Sequence, residues 1–260
     1  MSAMEILVCV KRVPTVGGAI TLTADSRAID TKASGFAISP HEECAVEEAV
    51  RLVERFGGSV TVVSLGPAEA EEQLRACLAL GASGAVLVET APGVETGPMA
   101  TAAALHSVAA AGGFDLILLG NEASDSGGYQ VGIRLAHLLG RPVATGAKAI
   151  EVSADGSSLS ASRVYRGMTE TFTLPLPCVV TVKEGINLPR YPSLPGRLRA
   201  KRAAVKRVPL EAAGPGPGGD IRMTRLRVPD APRKQATVLG QGSAAVPALV
   251  AVLAEIGVIT

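Results

Sequence analysis

Residues 39–66 read SPHEECAVEEAVRLVERFGGSVTVVSLG, and the change of period inside this stretch decides the fold class. Val46, Ala49, Val50 and Val53 recur at helical spacing, so 40–56 is predicted to be a helix with one inward apolar stripe. Ser39 stands where an N-cap belongs, Pro40 suits the first turn, and Glu42 three residues on completes an S-x-x-E capping box. Gly57 ends the helix. Residues 59–65 then run apolar and β-branched between breakers, the pattern of a strand buried on both faces.

The same alternation extends to either side. Residues 4–10, 84–89 and 114–119 read as strands, and helical patterns fall at 67–80, 97–111 and 127–139. Strands that alternate with helices imply a doubly wound, mostly parallel sheet with helices on both faces, a three-layer α/β fold. A smaller β region follows at 148–153, 159–166, 170–174 and 178–183, with Asp155-Gly156 as a hairpin turn. After Lys183 the composition shifts: eight of the 17 prolines lie between Pro189 and Pro232, around a Gly/Pro tract at 214–219. Such a segment cannot pack a core of its own. Residues 1–190 therefore read as the core. Residues 191–260 read as an arm made of a loop end, a Pro/Gly-rich tether and an apolar helix over 242–256 that docks on the main domain or on another chain. Pro247 must fall in the first turn of that helix or kink it.

Composition narrows the function classes. Apolar residues make up 47% of the chain and mean hydropathy is +0.32, enough for a sizeable core. A net charge of +1 gives no general basis for binding nucleic acid or a membrane surface. Cys9, Cys44, Cys77 and Cys178 are far apart and form no C-x-x-C element, so they read as reduced, buried thiols. No basic segment precedes a long apolar run at the N-terminus, and no run reaches the ~18 apolar residues of a membrane span. The expectation is a cytoplasmic protein without membrane insertion.

The candidate ligand site is Gly120 followed by Asn121, Glu122, Ala123, Ser124, Asp125, Ser126, Gly127, Gly128, Tyr129, Gln130, Val131 and Gly132. This loop leaves a strand and enters a helix, at the sheet edge where ligands of doubly wound folds bind. Ser126, Gly127 and Gly128 would let backbone N–H groups approach a phosphate at the helix N-terminus. A plain strand-to-helix loop capped by Asp125 or Ser126 is the alternative. Other apparent motifs carry less. Gly214-x-Gly216-x-x-Gly219 matches a dinucleotide fingerprint by letter but follows no strand, and no Walker A pattern exists. His41-Glu42-Glu43 resembles H-E-x-x-H, yet Ala45 stands where the second histidine belongs, so no metal site is expected. His106 and His137 sit inside helical patterns, and no nucleophile–base constellation is readable.

Residues 187–196 carry Pro189, Pro192 and Pro195, each of which fixes φ and biases the preceding residue toward extended backbone. They read as a stiffened loop that continues neither helix nor strand. Leu194 is then an apolar side chain on a rigid stem, either an interface anchor or a residue folded back on its own domain. The run 197–207 carries six basic residues and no acidic one, which fits an acidic protein partner better than nucleic acid, since only Tyr191 lies near for stacking.

The motifs Gly167-x-x-Glu170-Thr171, Leu176-Pro177-x-Val179-Val180-Thr181, Asn187-x-Pro189-Arg190-Tyr191-x-x-Leu194-Pro195 and Ala200-Lys201 follow one another in this order. With them the chain resembles the electron transfer flavoprotein beta subunit family. The resemblance implies an electron carrier rather than an enzyme, with no catalytic residue. It implies AMP bound structurally, its phosphate wrapped by Asn121 to Gly132. Cys9, Ser39, Pro40, His41, Glu42, Leu65 and Gly66 match the positions lining the adenosine. It further implies a heterodimer with an alpha subunit holding the redox-active FAD. In electron-bifurcating relatives a second FAD replaces AMP. The implied donors are flavin dehydrogenases, such as the acyl-CoA dehydrogenases of fatty acid oxidation, and the acceptor is a quinone oxidoreductase. Asn187, Pro189, Arg190, Tyr191, Leu194 and Pro195 would recognise the dehydrogenase. Ser39 and His41 stand where Asn and a bulky apolar residue are expected from the family, Ser126-Gly127 replace acidic residues, and Val16 occupies a place where an aromatic residue can approach the flavin. Two other classes share the architecture. A stand-alone nucleotide sensor of the stress-protein type would have little use for residues 184–260, and an ATP-cleaving ligase would want a Ser-Gly-Gly-x-Asp-Ser loop where this chain has Lys11-Arg12-Val13-Pro14.

Overall fold

The computed structural model describes residues 3–15, 20–32, 34–94, 96–210, 224–229 and 236–259. Val16 and the 214–219 tract lie outside them. From the N-terminus run β1 (Met4–Cys9), the short antiparallel pair β2 (Val13–Pro14) and β3 (Phe36–Ala37), α1 (Pro40–Phe56), β4 (Gly58–Gly66) and α2 (Glu71–Leu80). There follow β5 (Gly84–Glu89), α3 (Pro98–Ala111), β6 (Leu116–Gly120), α4 (Val131–Leu139), β7 (Val143–Ala147), β8 (Ala149–Val152), β9 (Ser158–Tyr165) and β10 (Met168–Pro175). The last elements are β11 (Cys178–Val182), α5 (Leu194–Arg202), β12 (Lys206–Pro209) and α6 (Val246–Glu255).

Seven strands form the central sheet in the order β12-β5-β4-β1-β6-β11-β7, and every neighbouring pair is parallel. Successive side chains of β1 point to opposite faces. Ile6 and Val8 pack with Val46, Val50, Leu74 and Leu78, so α1 and α2 cover one face. Leu7 and Cys9 pack with Ala102, Leu105 and Leu135, so α3 and α4 cover the other. This is the doubly wound three-layer arrangement that the alternation of periods implies. All four cysteines are free and buried, and burial pushes the Cys77 and Cys178 thiols up to about 12.

Several details differ from the reading of the sequence. β8, β9 and β10 do form a separate antiparallel sheet. β11, however, pairs with β6 and β7 in the central sheet and does not join that small β region. β7 and β12 are further strands, and β12 extends the sheet by pairing with β5 although its sequence, KRVP, looks like part of a solvated basic run. Residues 194–202 are helical rather than loop, because Ser193 caps α5 with its hydroxyl, accepting the Gly196 N–H at 3.1 Å, and Pro195 fits the first turn. α4 begins at Val131 and not at 127, since Gly127 and Tyr129 adopt positive φ of 54° and 55°. The first compact unit spans Met1–Arg225, beyond the boundary at 190 that composition suggests, because α5 and β12 pack onto the core. A second unit, Leu226–Thr260, contains α6, with Pro247 in its first turn.

Candidate functional site

The chain builds outward from β1 to β4 and β5, then returns to add β6 on the other side. The crevice outside the carboxyl ends of β1 and β6 is therefore the topological switch point. Ser39 caps α1 in extended conformation (φ −70°, ψ 150°). Glu42, in the first turn, accepts the Ser39 N–H at 3.2 Å and the Lys11 N–H at 3.0 Å, tying the exit of β1 to the start of α1. Burial outweighs those two bonds and the Lys11 charge, and holds the Glu42 carboxyl up at about 8. The end of β6 lies directly on the same turn. A Cβ on Gly120 would stand 2.7 Å from Glu42 Cγ and 3.1 Å from His41 Cβ. His41 is half-buried, with its Nδ1 buried and without a partner. Burial lowers its pKa, opposed by Glu122 and Glu184 and assisted by Lys183 and Lys148.

The loop 121–130 is fastened at several points and open between them. The Asn121 N–H donates to Val182 O at 2.8 Å, and its Oδ1 accepts the Thr181 hydroxyl at 2.8 Å. The Ser124 N–H donates to Ser39 Oγ at 3.0 Å, and Asp125 pairs with Lys11 at 2.7 Å. Ser126 and Gly127 both donate to Ala123 O, closing a tight turn. Tyr129 hydrogen-bonds the Glu122 carboxylate, which pushes the phenol's pKa up. The Gln130 side chain is held by Arg134 at 2.8 Å. Gly132 presses against the Thr181 methyl, drawing the first turn of α4 onto β11. Around Gly128, by contrast, a Cβ would meet nothing within 4 Å. Beside that open glycine, the first-turn N–H groups of α4 have no partner in their own helix, and the helix dipole favours negative charge there.

Cys9, Leu65 and Gly66 end the adjacent strands β1 and β4 at the same sheet edge. Pro40 is exposed at the start of α1. The fold thus brings the ends of β1, β4 and β6 and the start of α1 to one rim, where an open glycine turn, a helix N-terminus and the unpartnered His41 Nδ1 could receive an anionic, hydrogen-bonding group. Sequence reasoning missed Lys11 and Thr181. Lys11 lies two residues beyond β1, and that position was the only available sign of its place at the crevice. Among the described residues no group of His, Cys, Asp and Glu could hold a metal ion, and no helix is long and apolar enough to cross a membrane.

Along α1 from Cys44 to Glu54 lies the second predicted site. The Asn187 Nδ2 donates to Cys44 O at 3.0 Å and to Glu48 Oε2 at 2.9 Å. Arg190 grips Glu47 and Glu54 of the same helix. Leu194 and Pro195 open α5 and are exposed, as is Tyr191, while Pro189 is half-buried. The alternative in which Leu194 folds back onto its own domain is not the arrangement found.

The electron transfer flavoprotein domain family matches residues 27–213. The electron transfer flavoprotein subunit beta of Homo sapiens is 36% identical over 263 residues, covering 99% of each chain. That of Bacillus subtilis strain 168 is 39% identical over 175 residues, 67% of each chain. The mitochondrial one of Arabidopsis thaliana is 34% identical over 237 residues, 91% of this chain and 93% of its own. A parallel α/β core with its crevice at the switch point, matched by relatives along nearly the whole chain, shows that this protein belongs to the electron transfer flavoprotein beta subunit family.

Proposed function

We propose that the chain is the beta subunit of a heterodimeric electron transfer flavoprotein that relays electrons from flavin dehydrogenases, such as acyl-CoA dehydrogenases, to a quinone oxidoreductase. AMP binds in the crevice with its phosphate on the Ser126–Gly132 turn, and the alpha subunit holds most of the FAD. The flavin, when bound, supplies the redox chemistry. This chain's residues bind and orient: Glu42 fixes the crevice rim, Lys11 neutralises Asp125 beside the phosphate turn, and the first turn of α4 offers N–H donors. The observation that carries the reading is the open turn at Gly128, framed by well-fastened neighbours.

Because nothing of the protein lies within 4 Å of a Cβ at Gly128, an alanine there meets no steric obstacle in the fold. Denaturing the purified complex should release AMP and FAD in equal amounts. Gly128→Glu should lower AMP content severalfold by placing charge against the phosphate, while Gly128→Ala folds normally. Full AMP content in Gly128→Glu would remove the phosphate from this turn. Release of FAD at twice the expected amount, with no AMP, would identify a bifurcating relative. Release of ATP alone would favour a nucleotide sensor.

A further inference from the structure

The segment between β11 and α5 is fastened to the core at both ends, yet it leaves its apolar side chains out. On the α1 side, the Arg190 N–H and Nε donate to Glu47 Oε2 at 3.1 and 2.9 Å, and Nη2 reaches Glu47 Oε1 at 3.1 Å. The same guanidinium donates to both Glu54 oxygens at 2.6 and 2.9 Å. One planar fork thus bridges two carboxylates two turns apart on α1, a geometry that a lysine ammonium cannot reproduce. Asn187 adds its bonds to Cys44 O and Glu48. On the α2 side, Arg75 Nη1 donates to Ala200 O at 2.6 Å and Ala203 O at 3.1 Å, and Gly196 lies against the Ala79 carbonyl. Between these fastenings Leu188, Tyr191, Leu194 and Leu198 are 90%, 95%, 71% and 52% exposed. Large apolar side chains that are ordered and left uncovered mark an interaction surface. α5 contributes Arg197, Arg199, Lys201 and Arg202 beside them and no acidic residue, so a matching partner has an apolar groove with an acidic rim.

We propose that Arg190 is a positioning residue for docking: its fork, closed on Glu47 and Glu54, holds the ridge Leu188, Tyr191, Leu194 and Leu198 in its docking pose before any partner arrives. The ordering entropy of the loop is then spent on folding rather than on binding. This rests on the reading of Leu194 as an anchor for the electron-donating dehydrogenase.

The test uses the assembled complex with its alpha subunit. Glu47 is buried, so Arg190→Lys, which keeps a neighbouring cation, is the variant of choice, with Glu54→Gln as a second that touches only an exposed carboxylate. Amide hydrogen exchange at residue 190, whose N–H donates to Glu47, should speed up in both, by about tenfold in Arg190→Lys, the factor equivalent to ~1.4 kcal/mol. FAD content should stay unchanged. In a double-mutant cycle read by the dehydrogenase concentration giving half-maximal reduction, Leu194→Ala should cost severalfold less in the Arg190→Lys background than in wild type. Unchanged exchange in both variants, or the same Leu194→Ala penalty in both backgrounds, would overturn the proposal. If Leu194→Ala alone has no effect on the dehydrogenase, the anchor reading fails, and the exchange measurement by itself decides whether Arg190 holds the loop.

Discussion

Glu42 is held neutral-leaning by its surroundings: burial raises its carboxyl to about 8, although Lys11 and two backbone N–H groups favour the charged form. The folded value lies above the unfolded one of ~4.3. The stability from this group is therefore complete below about pH 4 and is lost as pH rises through about 8. Glu42→Gln reproduces the neutral carboxyl, whose oxygen can still accept both N–H groups. Between about pH 5 and about pH 8, the unfolding free energy of the wild-type complex from urea titrations should fall, by an amount on the order of a few kcal/mol, and that of Glu42→Gln should stay flatter. Equal slopes would show that burial does not govern this carboxyl. The Ser39–Glu42 pair was legible in the sequence because an N-cap and its third helical residue are local. Lys11 with Asp125, and Asn121 with Thr181, were not legible, since only the crossovers bring such distant residues together.

At the scale of elements, α1 connects the two candidate sites, with its first turn at the crevice and Glu47, Glu48 and Glu54 at the segment of Asn187 and Arg190. Its seating on β6 depends on Gly120, where a Cβ would stand 2.7 Å from Glu42 Cγ. The cost of a side chain there is steric, so Gly120→Ala should destabilise by about 1–3 kcal/mol through forced movement of the first turn of α1. Thermal unfolding and AMP content should fall together, in contrast to Gly128→Ala, and a wild-type melting profile would sink this account of the packing. The elements that read correctly are those whose pattern is complete in one stretch: α1 with its cap and stripe, and β4 and β5 with apolar runs between breakers. β7 is short and carries Gly146 at φ 72°, so it lacks a strand's pattern. The partners of β11 are set by three-dimensional neighbours, and local spacing assigned it to the nearest hairpin. α5 was obscured by Pro195, which acts there as a first-turn residue behind the Ser193 cap and not as a breaker.

At the scale of the whole molecule, the last helix needs a cover. Val246–Glu255 reads VPALVAVLAE, and none of its residues is buried. Leu249, Val250, Ile256 and Val258 are all large, apolar and exposed. Each aliphatic side chain of this kind gains about 1.5–3 kcal/mol when fully buried, so a helix this apolar is driven to find a partner surface. Relatives named as beta subunits match along nearly the whole chain, this segment included; under the function proposed above, the alpha subunit is the expected cover. Expressed alone, the chain should be colourless and poorly soluble, and with the alpha subunit it should form a 1:1 yellow complex. Leu249→Asp combined with Val250→Glu would put two charges into that contact. The pair should weaken assembly by at least about a hundredfold, ~2.7 kcal/mol, while the first compact unit keeps its far-ultraviolet spectrum. Sedimentation at dilute concentration distinguishes the outcomes. If the doubly charged variant still sediments as the yellow heterodimer with full FAD, α6 does not hold the two subunits together, and the assembly must rest on surfaces of the first compact unit.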